Sequence, residues 1–126
     1  RGDSLTIICW GAMVQKSMEA AQQISGSDNI IEIIDIRTLN PIDYDTIKDS
    51  ISKTGKVLVV YEDNLTNGPG AELCSVIADR YFEYLDGPVK RVASKDSPVP
   101  YNWFLEDDVL VQVKDISNGI KELLEY

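Results

Sequence analysis

Glu62 and Asp63 close a continuous apolar run, Val57-Leu58-Val59-Val60-Tyr61, and the glycine-containing turn Asn67-Gly68-Pro69-Gly70 follows before a helical pattern opens at Ala71. Acids at a strand end, a flexible turn and a helix start can make a site, because ligands of open α/β sheets bind beyond the carboxyl ends of strands. The same string also makes an ordinary strand-to-helix connection, and its residue types fit both readings. Adjacent residues of an extended strand point to opposite faces, so Glu62 and Asp63 do not converge as an acid–base pair. The turn matches neither G-x-G-x-x-G nor the P-loop pattern; Asn67 as a helix cap with Pro69 near the first helical position accounts for it structurally.

Histidine is absent from the 126 residues. That excludes Ser-His-Asp, Cys-His and His-metal chemistry and leaves carboxylates, Lys, Tyr or a cofactor. Cys9 and Cys74 lie 65 positions apart in apolar contexts, with no metal-ligand or disulfide spacing. They are expected as buried thiols of a chain in a reducing compartment. The formal charge of −9, from 21 acidic and 12 basic residues, argues against a nucleic-acid partner. It describes an acidic solvated surface, and a charged partner would be basic.

These residues need elements to hold them. The apolar run at 5–10 is a strand broken by Gly11, and Val14, Met18, Ala21 and Ile24 then mark the inner face of a helix ending near Ser25-Gly26. A polar turn, Ser27-Asp28-Asn29, leads to a second buried strand at 30–36, then a loop whose Asn40-Pro41 step disfavours helix. Asp43 or Asp45 can cap a second helix with Tyr44, Ile47 and Ile51 inward and Gly55 at its end. After the strand at 57–61, a third helix turns Leu73, Cys74, Ile77, Ala78, Tyr81 and Phe82 inward and stops at Asp86-Gly87-Pro88. A fourth strand spans 89–93. The segment 94–109 reads as a long irregular loop, and a last helix from Val113 presents Ile116, Ile120, Leu123 and Leu124. Such alternation predicts one α/β domain with a mainly parallel sheet and helices on both faces. A strand opening at Leu5 is the start expected of a fragment of a longer protein.

Three further features carry less. Asp35 at the second strand end suits a phospho-acceptor domain, but Trp10-Gly11-Ala12 stands where that class needs acids after the first strand. Asn64-Leu65-Thr66 and Arg1-Gly2-Asp3 are chance-level matches to a glycosylation sequon and an integrin tripeptide. Tyr101, Trp103 and Phe104, among prolines, either fold back on their own core or form the centre of an interface.

Four segments, in order, resemble the C-terminal domain of the transketolase superfamily, and within it the β subunits of the E1 component of 2-oxo acid dehydrogenase complexes (pyruvate, branched-chain or acetoin type). They are Thr6-Ile7-Ile8-Cys9-Trp10-Gly11-Ala12-Met13-Val14, then Glu32-Ile33-Ile34-Asp35-Ile36-Arg37-Thr38-Leu39-Asn40-Pro41-Ile42-Asp43. Lys53-Thr54-Gly55-Lys56 with 57–62 and Gly70-Ala71-Glu72 is the third, and Ala93 with Asp96-Ser97-Pro98-Val99-Pro100-Tyr101 the fourth. The 1-deoxyxylulose-5-phosphate synthases share the second and third. The resemblance implies a three-layer α/β/α domain with one further antiparallel strand upstream of Arg1. It implies a parent enzyme that uses thiamine diphosphate and magnesium to decarboxylate a 2-oxo acid oxidatively and pass the acyl group to lipoyl E2. The domain itself would bind no cofactor or metal and hold no catalytic residue. It would serve assembly with an E1 alpha subunit or domain, a second E1 beta copy and the E2 subunit-binding domain, in cytoplasm or mitochondrial matrix. Glu62, Asp63, Asn67, Gly68, Gly70, Tyr101, Trp103, Phe104 and Tyr126 are the interface candidates. The turn departs from the family's Gly-Gly-Phe-Gly pattern at Asn67-Gly68-Pro69-Gly70. Outside this family, the sequence suits an autonomous α/β anion-binding or signalling domain using the loop at 62–70.

Overall fold

β-Branched apolar runs give four short strands in a computed structural model that describes residues 2–126 apart from Ser27 and Asn29. They are β1 (Leu5–Cys9), β2 (Ile31–Asp35), β3 (Val57–Asn64) and β4 (Lys90–Ser94). All pair in parallel in the order β2-β1-β3-β4, with Ile7 opposite Ile33 and Leu58 across the central pairings. The expected turn at Ser27-Asp28-Asn29 and the Arg1 tripeptide involve residues outside the described set.

Alternation along the central strands builds two cores. Leu5, Ile7, Cys9, Leu58 and Val60 face α1 (Met13–Ser25) and α5 (Val113–Leu124). Ile8, Val57, Val59 and Tyr61 face α2 (Tyr44–Thr54) and α3 (Pro69–Arg80). The architecture is therefore the expected three-layer α/β/α with a parallel sheet. Thr6, also in a central strand, is fully buried and must find partners there. It shares hydrogen bonds with Ser50 Oγ at 2.7 Å and Thr54 Oγ1 at 2.6 Å, which pins α2 to β1. Ser50 in turn donates to Glu32, which also pairs with Lys53.

Sequence signals placed the helix ends well where capping chemistry was explicit. Asp43, one of the two candidates, caps α2 by accepting from the Thr46 amide at 3.0 Å, and Gly55 ends it at φ 69°. Four expectations need correction. Met18 is 59% exposed, because the inward arc of α1 runs through Met13, Ser17, Ala20 and Ala21, and the next residue along lies about 100° away. Helix α3 opens at Pro69 and closes at Arg80, so Ala78 is exposed and Phe82, in a short 3₁₀ turn, is 75% exposed. Gly68, not Asn67, occupies the cap of α3. The segment 94–109 is not wholly irregular: it contains α4 (Trp103–Val109), started by Asn102, whose side chain accepts from the Phe104 amide at 3.0 Å.

Candidate interface at the carboxyl end of the sheet

Chain direction across the sheet reverses between β1 and β3, since β1 continues to β2 on one side and β3 to β4 on the other. Ligand crevices of parallel sheets open at such a point. Here it is bordered by a stacked pair: the Trp10 and Tyr61 rings lie 5.7 Å apart and 9° from parallel. Tyr61 is completely buried, and its hydroxyl donates to the Leu65 carbonyl at 3.2 Å. Burial raises its pKa, the Arg91 guanidinium opposing.

β3 runs three residues past the expected 57–61 strand, so Glu62 and Asp63 sit within it and are both exposed. The turn that follows is held from inside by β4 and the residues after it. Ser94 Oγ donates to Glu62 O at 2.5 Å, and the Leu65 amide to Ser94 O at 3.0 Å. Arg91 Nη1 donates to Leu65 O at 2.7 Å. Thr66 gives both its amide (2.9 Å) and its hydroxyl (2.6 Å) to the Asp96 carboxylate. Those two bonds hold the Asp96 pKa below its ordinary 3.8. Asn67 takes φ 61°, a conformation its residue type tolerates, and hands the cap to Gly68. Gly70 is needed for space: a Cβ there would stand 2.1 Å from Tyr61 Cε1. Gly68 and Gly70, expected among interface residues, are thus buried parts of the domain's own packing. Of the candidates on this stretch, Glu62, Asp63 and Asn67 are the exposed ones.

Beyond Asp96 the chain leaves the body as a pinched arm. Its base is closed by the Lys95 amide on Val109 O at 3.1 Å and by Lys95 Nζ on Asp108 at 2.8 Å. Within it, Tyr101 is fully exposed, while Trp103 and Phe104 are 64% and 68% exposed and stack on each other at 3.7 Å. Val99 and Leu105 are exposed as well. The alternative in which these aromatics fold back on the core is therefore ruled out. Tyr126 is far from them in the topology: it lies against Gly87, which precedes the start of β4 at the amino end of the sheet. The turn that carries Glu62, Asp63 and Asn67 is thus tied through Thr66 and Asp96 to the base of the arm that carries Tyr101, Trp103 and Phe104, and Tyr126 lies elsewhere.

The other chemistry-bearing groups are engaged in structure. Asp35 pairs with Arg37 at 3.3 Å beside a cavity of about 520 Å³ floored by Ile34, Ile36 and Pro41, and Asp43 on its rim is the α2 cap. Both cysteines are buried and free, with burial pushing Cys9 up to about 11 and Cys74 up to about 12. Protonated thiols of that kind are inert. Among the described residues no cluster of His, Cys, Asp or Glu has metal-ligand geometry. Sequence reasoning missed Thr66 and Arg91 as the ties of the turn, since contacts across 30 and 26 positions leave no local signal.

Comparison with known proteins follows the same lines. The family model described as "Transketolase, C-terminal domain" matches residues 1–116. The chain is 41% identical over 97% of its length to pyruvate dehydrogenase E1 component subunit beta of Rickettsia bellii, covering 38% of that protein. It is 38% identical to the Staphylococcus epidermidis protein of that description, over 99% of the chain and 38% of the relative. With the mitochondrial one of Dictyostelium discoideum it shares 36% identity over 98% of its length and 35% of the relative. The chain thus spans little more than a third of the relatives it matches. Among solved structures, an inactive beta4 tetramer of a split-gene transketolase superposes with a TM-score of 0.83 at 24% identity, over 99% of this chain and 40% of the other; that likeness shows the fold.

Proposed function

From the premise that the chain belongs to the transketolase C-terminal domain family, we propose that residues 1–126 are the C-terminal domain of a pyruvate dehydrogenase E1 β subunit. The carrying observation is 41% identity over 97% of the chain to a protein so described. The parent enzyme would decarboxylate a 2-oxo acid oxidatively and transfer the acyl group to lipoyl E2, in bacterial cytoplasm or the mitochondrial matrix. This domain's part is assembly, with an E1 alpha subunit, a second beta copy and the E2 subunit-binding domain as partners.

Thiamine diphosphate, the parent's cofactor, supplies the carbanion chemistry of decarboxylation when bound. The donor set here does not fit it or its magnesium. The carboxylates Glu62 and Asp63 stand exposed where the pairing of β3 with β4 is irregular, Asp96 is committed to Thr66, and the described residues form no ligand cluster. We therefore assign both to parts of the parent outside this chain. Calorimetric titration of the purified chain with thiamine diphosphate and magnesium tests this: no saturable heat is expected, and micromolar binding would overturn the assignment.

In the assembled parent, Glu62→Gln is expected to weaken subunit association before it alters turnover. Normal assembly with lost turnover would make Glu62 part of the chemistry instead.

A further inference from the structure

The pair Asn-Gly occurs at Asn67-Gly68 and again at Asn118-Gly119, and the fold treats the two in opposite ways. We propose that Asn67 is a site of spontaneous covalent modification in the folded protein: its side-chain amide cyclises onto the Gly68 nitrogen, ammonia leaves, and the turn is left with an aspartyl or isoaspartyl link.

The step needs only water. Base removes the Gly68 amide proton and the nitrogen attacks Asn67 Cγ. A C–N bond forms there as the bond from Cγ to Nδ2 breaks, and Nδ2 departs as ammonia. Water then opens the five-membered imide. Opening at Cγ gives Asp; opening at the Asn67 main-chain carbonyl gives the isoaspartyl link, in which the chain runs through the former side chain. Glycine is the follower that best suits this attack, since no Cβ stands over its nitrogen.

Geometry leaves this one peptide free. Asn67 is exposed and stands at φ 61°, outside any helix or strand. Among the described residues, neither its carbonyl nor the Gly68 amide takes part in a backbone hydrogen bond. Both flanks are fixed: Thr66 is held by Asp96, and Gly68 O accepts from the Ala71 amide at 3.0 Å. The peptide between them can therefore turn while the protein stays folded. Asn118 is exposed too, but it lies within α5, where a Cβ on Gly119 would meet Val92 Cγ2 at 3.0 Å. The Gly119 nitrogen belongs to the helical ladder, so attack there requires the helix to open first.

The consequence falls on α3. An isoaspartyl link adds a backbone atom between the Thr66 tie and the Gly68 cap, and either product puts a new negative charge beside the helix start. This site belongs to the Asn67-Gly68-Pro69-Gly70 string, where the chain departs from the Gly-Gly-Phe-Gly pattern.

The test incubates the complete parent protein, folded, in mildly alkaline heavy-oxygen water and maps its peptides by mass spectrometry. The peptide holding Asn67 should take up heavy oxygen, elute as two isomers, and accept a labelled methyl group from S-adenosylmethionine and an isoaspartyl methyltransferase. The peptide holding Asn118 should convert at least about tenfold more slowly, because its helix must open. Urea-unfolded protein is the reference, in which both should convert at similar rates. No conversion of Asn67 in the folded protein overturns the proposal. So does conversion of Asn118 at a matching rate, or a rate at Asn67 that rises on unfolding as steeply as that at Asn118. Asn67→Gln, which would have to close a six-membered ring, should lose heavy-oxygen uptake and methyl acceptance in that peptide; persistence of either moves the reaction to another residue and overturns the assignment.

Discussion

The turn at 64–70 and the arm at 96–108 stand side by side on one rim, joined by the Thr66–Asp96 bonds, yet they were finished differently. Within the turn, Tyr61 fills the space beside Gly70, its hydroxyl reaches Leu65 O, and Arg91 reaches the same carbonyl. The arm instead satisfies its own base and cap while leaving two stacked rings and a tyrosine in solvent. A segment whose polar groups and apolar groups are both provided for is structure. One with satisfied backbone and exposed aromatic anchors has the composition of an interface centre.

The harshest break in this contrast is Gly70→Ala. A Cβ 2.1 Å from the Tyr61 ring must displace a fully buried side chain between β3 and α3. Overpacking of this kind costs about 1–3 kcal/mol. Urea unfolding should show a lowered midpoint with an unchanged slope. Because the clash is with one ring, Tyr61→Leu in the same chain should recover part of the loss, a coupling readable in a double-mutant cycle. Equal and additive losses would mean that Gly70 acts elsewhere. Smaller, and on the same side, is Tyr61→Phe, which strips one hydrogen bond to Leu65 O for about 1 kcal/mol.

Across the rim the expected stability effect is near nothing. Trp103→Ala with Phe104→Ala removes rings that are mostly exposed, so the unfolding midpoint should move by no more than about 0.5 kcal/mol equivalent. If that pair of changes destabilised the isolated domain as much as Gly70→Ala, the arm would be packing and the contrast would collapse.

How much of this was readable beforehand differs between the two regions for a physical reason. Strand and helix signals are local: the run at 57–61, the Asp43 cap and the Gly55 stop each state their role within a few residues. The face that Ile116, Ile120 and Leu123 bury was equally legible from its period. Exposure of the arm was not, because Tyr101, Trp103 and Phe104 have the composition of a core as much as of an interface. Whether they are covered depends on how α4 sits, and that follows from Lys95 meeting Val109 and Asp108 at a distance in sequence. Met18 and Phe82 failed for a related reason: apolar type alone does not say on which side of an inward arc a residue falls.

The smallest effect concerns the bond that joins the two regions. Asp96 is fully exposed, so its titration is a readout of geometry and not of stability. Its two bonds from Thr66, hydroxyl then amide, lower its pKa from 3.8. A depressed acid pKa means the tie is intact above about 3.8 and is lost as pH falls through the lower folded value. The Thr66 amide resonance should therefore move in an acid titration whose midpoint lies below 3.8, while a control carboxylate without such bonds titrates near its ordinary value. Asp96→Asn should flatten the transition at Thr66 and leave the amide of Leu65, which bonds to Ser94 O, in place. A Thr66 midpoint at or above 3.8 would show that the tie does not form in solution, and turn and arm would then be free to move separately.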